Sequence, residues 1–201
     1  MKVLVITPYI TSSAHPGFLR NKTGFGMMVD DIARHMGKKC SIELFAVNAM
    51  TPRINHDSFI SLGRSWRLFI SNISLKNLGD ALGFIRKYSL PFKEKLRVIY
   101  QFLAVSQAEK IMEDYDIVHI HGCSPITAAA IKACRRKSIP FVVTLHGLVS
   151  FEKTVRLHDS LKRYEKDFLT EAYLNDYNVT FISSGIKQQS EEYVTSNIAK
   201  E

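Results

Sequence analysis

Short apolar, β-branched runs alternate along this chain with longer stretches in which apolar positions recur every three or four residues. The runs are Lys2–Thr7 (KVLVIT), Ser41–Val47 (SIELFAV), Asp116–Gly122 (DIVHIHG), Ile139–Gly147 (IPFVVTLHG) and Asn178–Ser183 (NVTFIS). Near-continuous runs of this length predict strands covered on both faces, as in a parallel sheet. Between them, Met28, Val29, Ile32, Ala33 and Met36 fall at helical spacing, with Gly37 read as the helix end. Phe92–Tyr115 repeats the pattern through Leu96, Ile99, Tyr100, Leu103, Ala108 and Ile111. Further helices are predicted over Ile126–Lys137 with Pro125 in the first turn, over Asp159–Asp176, and over Gly185–Ser196 with Ser183 and Ser184 as caps. From Asn48 to Gly79 the signal is weaker: Trp66–Asn72 reads as a strand and Ser74–Leu82 as irregular or helical. Strands and helices alternating in this way predict an α/β fold, a doubly wound, mostly parallel sheet with helices on both faces.

Composition narrows this picture without changing it. A chain of 201 residues, 46% apolar and 23% charged, suits one α/β domain with a single substantial core. The apolar run at the amino terminus is too short to span a membrane and lacks a cleavage site. Cys40, Cys123 and Cys134 are odd in number and show neither metal-ligand nor redox spacing, which predicts a reducing, cytoplasmic compartment. The sequons at Asn21, Asn72 and Asn178 are accordingly expected to stay unglycosylated. A net charge of +8 fits a solvated surface, an anionic membrane face or a polyanionic ligand. Nucleic acid is not expected as a partner, because Lys and Arg are dispersed and no nucleic-acid motif is present.

Four constellations carry candidate chemistry. Thr23-Gly24-Phe25-Gly26 opens a helix, where glycines let backbone approach a ligand and the free N–H groups favour a phosphate; the plain alternative is a flexible loop. A dinucleotide fingerprint would want Gly at position 29, which is Val29, and a far shorter turn after the strand than the 16 residues present. His119 and His121 face the same side of a strand, but no further ligands appear at metal spacing, so His119 is read as hydrogen-bonded within the sheet and His121 as reaching the strand end. His146 ends the IPFVVTL run, where an open α/β sheet exposes side chains to ligands. Its imidazole can donate to a sugar hydroxyl or stabilise developing charge. Lastly, Pro91–Leu103 mixes Lys93, Lys95 and Arg97 with Phe92, Leu96 and Ile99, fitting either a helix on an anionic membrane or one packed on the sheet with a basic outer face. Arg64, Trp66 and Arg67 form a similar patch.

In order and content these landmarks resemble the amino-terminal domain of the family-four (group 1) GT-B glycosyltransferases, two-domain nucleotide-sugar enzymes. The likeness rests on ITPY at the first strand end, the glycine turn, SIELFAV, DIVHIHG, IPFVVTLHG and FISSGIKQQ, covering Lys2 to about Ser190. It implies a Rossmann-like domain over 1–185, with 186–201 a helix leading to an interdomain linker and a second, donor-binding domain. It implies Gly24 and Gly26 beside the donor diphosphate, Tyr9 in the acceptor pocket and His146 at the reaction centre. His121, Gly147, Lys153 and Ser183 are the remaining substrate-side candidates. The implied reaction moves a hexose from a nucleotide-diphosphate sugar to a glycan or lipid-linked acceptor, with no metal and no cofactor beyond that co-substrate. A nucleotide-sugar epimerase of the same architecture and a non-catalytic glycan-binding or partner-binding module are the alternatives. The resemblance places the protein in the cytoplasm, peripheral to the inner membrane face if the basic helix lies on lipid.

Overall fold

The computed structural model describes residues 1–19, 22–49, 51, 53–62, 74–152 and 158–198. All five apolar runs form strands: β1 (Lys2–Thr7), β2 (Ser41–Ala46), β5 (Ile117–His121), β6 (Phe141–Leu145) and β7 (Val179–Phe181). Two short strands, β3 (Ile54–Asn55) and β4 (Ile60–Leu62), complete a seven-stranded sheet of order β3-β4-β2-β1-β5-β6-β7. Only β3 runs antiparallel to its neighbour among the described pairs. The β3–β4 hairpin was not expected, because strands of two and three residues are too short to show any periodicity. The strand expected at Trp66–Asn72 lies outside the described residues, as do Arg64, Arg67 and Lys153.

Six helices accompany the sheet among the described residues: α1 (Gly24–Gly37), α2 (Leu75–Tyr88), α3 (Phe92–Ile111), α4 (Pro125–Lys137), α5 (Asp159–Leu174) and α6 (Ser184–Ile198). Helix α2 is regular throughout, extending six residues past the segment the sequence marked as irregular or helical, and Ser74 caps it by accepting from Asn77 N at 3.3 Å. Strand pleating separates two cores. Leu4 and Ile6 of β1 join Val118, Ile120, Val143 and Leu145 in a cluster with α2 to α6, whereas Val3 and Val5 join Ile42, Leu44, Val29 and Ala33 beneath α1. The cause is topological. The chain steps from β1 to β2 in one direction and from β5 through β6 to β7 in the other, and crossovers of one hand then put their helices on opposite faces.

The helical layer is locked laterally by charge. Arg136 of α4 donates to both oxygens of Glu109 on α3 (2.8 and 2.9 Å), to Asp80 on α2 (2.6 Å) and to Asn77 (2.7 Å). A partly buried network of this kind holds geometry better than isolated surface pairs. Tyr88 ties α2 to α5 by donating to Asp167 at 3.1 Å.

Close packing also fixes the end of α1. A Cβ on Gly37 would lie 1.7 Å from the Ser58 carbonyl oxygen, whereas one on Gly79, inside α2, would meet nothing within 4 Å. Gly37→Ala should therefore cost about 1–3 kcal/mol through a forced backbone shift, and Gly79→Ala should gain about 0.5–1 kcal/mol through helix propensity. Urea midpoints displaced in opposite directions are the expected result; a neutral Gly37→Ala would remove the packing argument.

Candidate functional site

Strand β1 has β2 on one side and β5 on the other, so the chain's order reverses there, and ligands in such sheets bind beyond the carboxyl ends at that point. Three strand ends deliver the local chemistry. Thr7 is followed by Pro8-Tyr9, His121 by Gly122 in the left-handed region (φ 83°), and Leu145 by His146-Gly147. Together they open on a cavity of about 540 Å³, walled by Tyr9, Phe25, Gly122, His146 and Gly147 on the strand-end side. Glu94, Arg97 and Gln101 of α3, Leu161, Tyr164 and Glu165 of α5, and the start of α4 around Pro125 and Ile126 also line it. A second hollow of about 500 Å³ lies at the opposite strand ends around Ser138, Pro140 and Tyr177. Arg135 there is already engaged by Glu171 and Tyr177.

The register of the parallel strands builds a ladder of imidazoles behind His146. His119 stands beside Val5 and Val142, and His121 beside Thr144, so the alternation of the pleat puts both histidines and Thr144 on one face. His119 Nε2 shares a hydrogen bond of 2.6 Å with Thr144 Oγ1, which pairs in turn with Thr180 Oγ1 at 2.6 Å. The His119 and His121 rings are 4.2 Å apart, and His121 Nδ1 meets His146 Nε2 at 2.7 Å. The Phe25 ring packs edge-on at 4.6 Å from His146 and Tyr9 packs on Phe25 at 5.2 Å, so α1 holds the imidazole from the other side.

Burial sets the charge of this ladder. Loss of water pushes His119 and His146 down to about 4, and the His146 imidazole adds to the effect of burial at His119. Burial first, and its two histidine neighbours next, hold His121 well below the ordinary range. All three are neutral at pH 7. The bond between His121 and His146 then contains one proton, and each ring's outer nitrogen, His121 Nε2 and His146 Nδ1, is buried without a hydrogen-bond partner. If His121 donates, His146 Nδ1 carries a hydrogen; if His146 donates, Nδ1 is an acceptor.

The expected site residues divide accordingly. Tyr9, His146 and Gly147 meet at the cavity. His121 is 1% exposed and touches the cavity-lining His146, because it is still the last residue of its strand whereas His146 stands one residue past the end of β6. Gly24 is exposed, with open space where a Cβ would stand. Gly26 is buried: a Cβ there would lie 2.3 Å from Thr11 Oγ1, and its carbonyl accepts from Thr11 N at 3.1 Å. Ser183 lies on the surface, capping α6 by accepting from Ile186 N at 3.3 Å. Among residues not anticipated, Glu165 is nearly fully buried and accepts from the amides of Val149 (3.2 Å) and Ser150 (2.5 Å), which shapes the loop after His146. Gln101 had one overlooked signal, an amide in the most apolar stretch of α3. Among the described residues no three His, Cys, Asp or Glu side chains gather as metal ligands, and no helix is long and apolar enough to cross a membrane.

Comparison with known proteins places this geometry. The chain belongs to Glycosyltransferase Family 4, whose model matches residues 23–198. Its fold is similar to the crystal structure of alpha,alpha-trehalose 6-phosphate synthase from Burkholderia multivorans, with a TM-score of 0.50 at 14% sequence identity over 98% of this chain. The chain spans 42% of that structure's length. No curated protein matches it. The doubly wound, Rossmann-like architecture is therefore that of a GT-B glycosyltransferase domain.

The neutral ladder has a pH signature. Native-state values below the ordinary 6.5 mean that unfolding takes up protons in acid. The stability present above pH 6.5 should decline as pH falls from 6.5 toward about 4. Imidazole proton resonances of His119 and His146 should titrate with midpoints about 4, in step with falling thermal midpoints. Titration near 6.5 would show the ladder to be solvated.

Proposed function

We propose that this chain is the acceptor-side half of a glycosyltransferase that moves a hexose from a nucleotide-diphosphate sugar to a cell-envelope or polysaccharide acceptor. Family membership supports the transferase class, and one observation supports the finer reading: a neutral His146, with an unpartnered Nδ1, stands at the cavity where the sheet order reverses. A sugar hydroxyl both donates and accepts, so it completes Nδ1 in either tautomer. A fully ionised phosphate oxygen can complete only one. His146 then contacts and orients the transferred sugar, Gly147 leaves room beside it, and the Phe25 ring keeps water from one side of the imidazole.

The donor's diphosphate approaches the amino terminus of α1. Its first turn has no acidic residue, Gly24 leaves the backbone open, and Thr23 occupies only the Gly26 amide (3.2 Å). Free N–H groups and the helix dipole favour an anion there. Gly26 serves this arrangement indirectly, by letting the Thr11 loop close on the helix. Residues 1–185 form the acceptor-side domain, α6 leads toward a linker, and the protein's own carboxyl-terminal domain supplies the facing donor wall. Attachment to an anionic membrane surface belongs to the same reading: α3 exposes Phe92 (74%) and Leu96 (54%) among Lys93 and Lys95.

In the protein carrying its donor-binding domain, His146→Ala should lower kcat by about 10²-fold or more, while the isolated chain should transfer no radiolabelled sugar. A variant with wild-type turnover would remove His146 from the reaction. Vesicles rich in phosphatidylglycerol should co-sediment the protein at low salt and release it at high salt. Phe92→Ser with Leu96→Ser should reduce that binding severalfold, and an unchanged double variant would show that α3 does not touch lipid.

A further inference from the structure

We propose that the cavity-facing edge of α3, formed by Glu94, Arg97 and Gln101, is the recognition surface for the acceptor, and that it takes a neutral, hydroxyl-rich sugar unit and excludes phosphate or carboxylate. This rests on the transferase reading and specifies its acceptor.

The three residues are spaced three and four apart, so they share one edge of the helix, while Val98, Phe102 and Val105 turn into the core. Gln101 is the innermost, at 2% exposure, and its Oε1 has no hydrogen-bond partner. A buried amide oxygen left bare is destabilising in the free protein, and an interior of this size normally satisfies or avoids one. Gln101 lines the cavity, and its bare oxygen, sealed from solvent, comes within reach of a ligand hydroxyl once the side chain turns toward it. An amide offers both donor and acceptor capacity, which a sugar hydroxyl matches on both counts.

Charge selects against anions. Among the described residues, the acidic and basic side chains lining the cavity are Glu94, Glu165 and Arg97. Arg97 already faces Glu94 at 3.8 Å, and His146 is neutral. Among these groups a phosphate or uronate in this lobe would meet the Glu94 carboxylate and a guanidinium already shared with it, while Glu165 is turned to the Val149 and Ser150 amides, a balance that offers an anion no free cation in a partly water-excluded space. The apolar wall of Ile126 and Leu161 suits the C–H faces of a pyranose ring.

The test is a titration of the ¹⁵N-labelled protein with methyl glycosides of glucose, galactose, mannose and N-acetylglucosamine, with glucuronate and inorganic phosphate as anionic probes. At least one neutral glycoside should shift the Gln101 side-chain NH₂ pair, with affinity on the order of 1 mM, and neither anion should displace it. Gln101→Met keeps the volume and removes the bare oxygen, so it should melt no lower than wild type while losing that binding about tenfold. A markedly lower melting point would show that Gln101 is structural, and anionic probes that shift the same NH₂ pair would reverse the charge argument; either result overturns the proposal. Failure of all four glycosides to move the NH₂ pair overturns it as well. Glycoside binding at Gln101 in a protein that transfers no sugar once its donor-binding domain is present would keep this subsite and remove the transferase reading.

Discussion

The reversal of strand order at β1 is the constraint on which the site depends. Because β2 and β5 bond to opposite sides of β1, the segments leaving β1 and β5 must part, one toward α1 and the other toward α4. A crevice opens between them without any side chain being spent on making it. The same reversal divides the apolar interior in two, which is why Val3 and Val5 pack under one helix while Leu4 and Ile6 pack under five. Phe25 and Tyr9 then reach the crevice from one side of the sheet, and Ser124 and Pro125 from the other.

Within that frame, one polar column crosses the sheet. Thr180, Thr144 and His119 are joined across β7, β6 and β5, and His121 continues to His146. A charged imidazole in this position would be costly, so burial keeps the rings neutral, and neutrality leaves each ring one donor and one acceptor. Hydrogen bonding takes up His119 Nε2, His121 Nδ1 and His146 Nε2. His121 Nε2 and His146 Nδ1 are left without partners, and of these two rings His146 is the one that borders the cavity. The column thus fixes the orientation of the His146 imidazole from behind, while Phe25 fixes it from the front. Acid sensitivity of the fold follows from the same neutrality.

The sequence reveals the fold more completely than the site, and particular residues show why. Continuous apolar runs identify five strands because burial on both faces leaves a compositional trace. The β3–β4 hairpin leaves none, since its strands are shorter than any period. His146 is legible because a polar residue closing an apolar run marks the point where a buried strand leaves the core. His121 reads the same way yet is enclosed; one residue's difference in distance from the strand end decides which ring meets the cavity, and that distance depends on register with β6. Gly24 and Gly26 are indistinguishable in sequence. Their separation into an open and a filled position is made by Thr11, on a loop that local pattern does not connect to α1.

Helix α3 shows how a single amphipathic signal can conceal two environments. Its second half, from Val98 to Ala108, is buried almost without interruption and includes Gln101, Ser106 and Gln107, so polarity there is no guide to exposure. Its first half projects beyond the sheet and exposes Phe92 and Leu96. The rotation of the helix about its axis determines which polar residues reach the cavity; the buried stripe of Val98, Phe102 and Val105 fixes it, and Glu109, held by Arg136 and Asn77, ties down its far end. Glu109 sits below the ordinary carboxylate range because those hydrogen bonds to its charged form outweigh burial, the largest single influence and the one that opposes them. The ion-pair network lies about 12 Å along the helix from Gln101, on the same helix as the edge on which Gln101, Arg97 and Glu94 stand. Arg136 takes no part in lining the cavity, so it bears on that edge solely by tying α3 to α2 and α4.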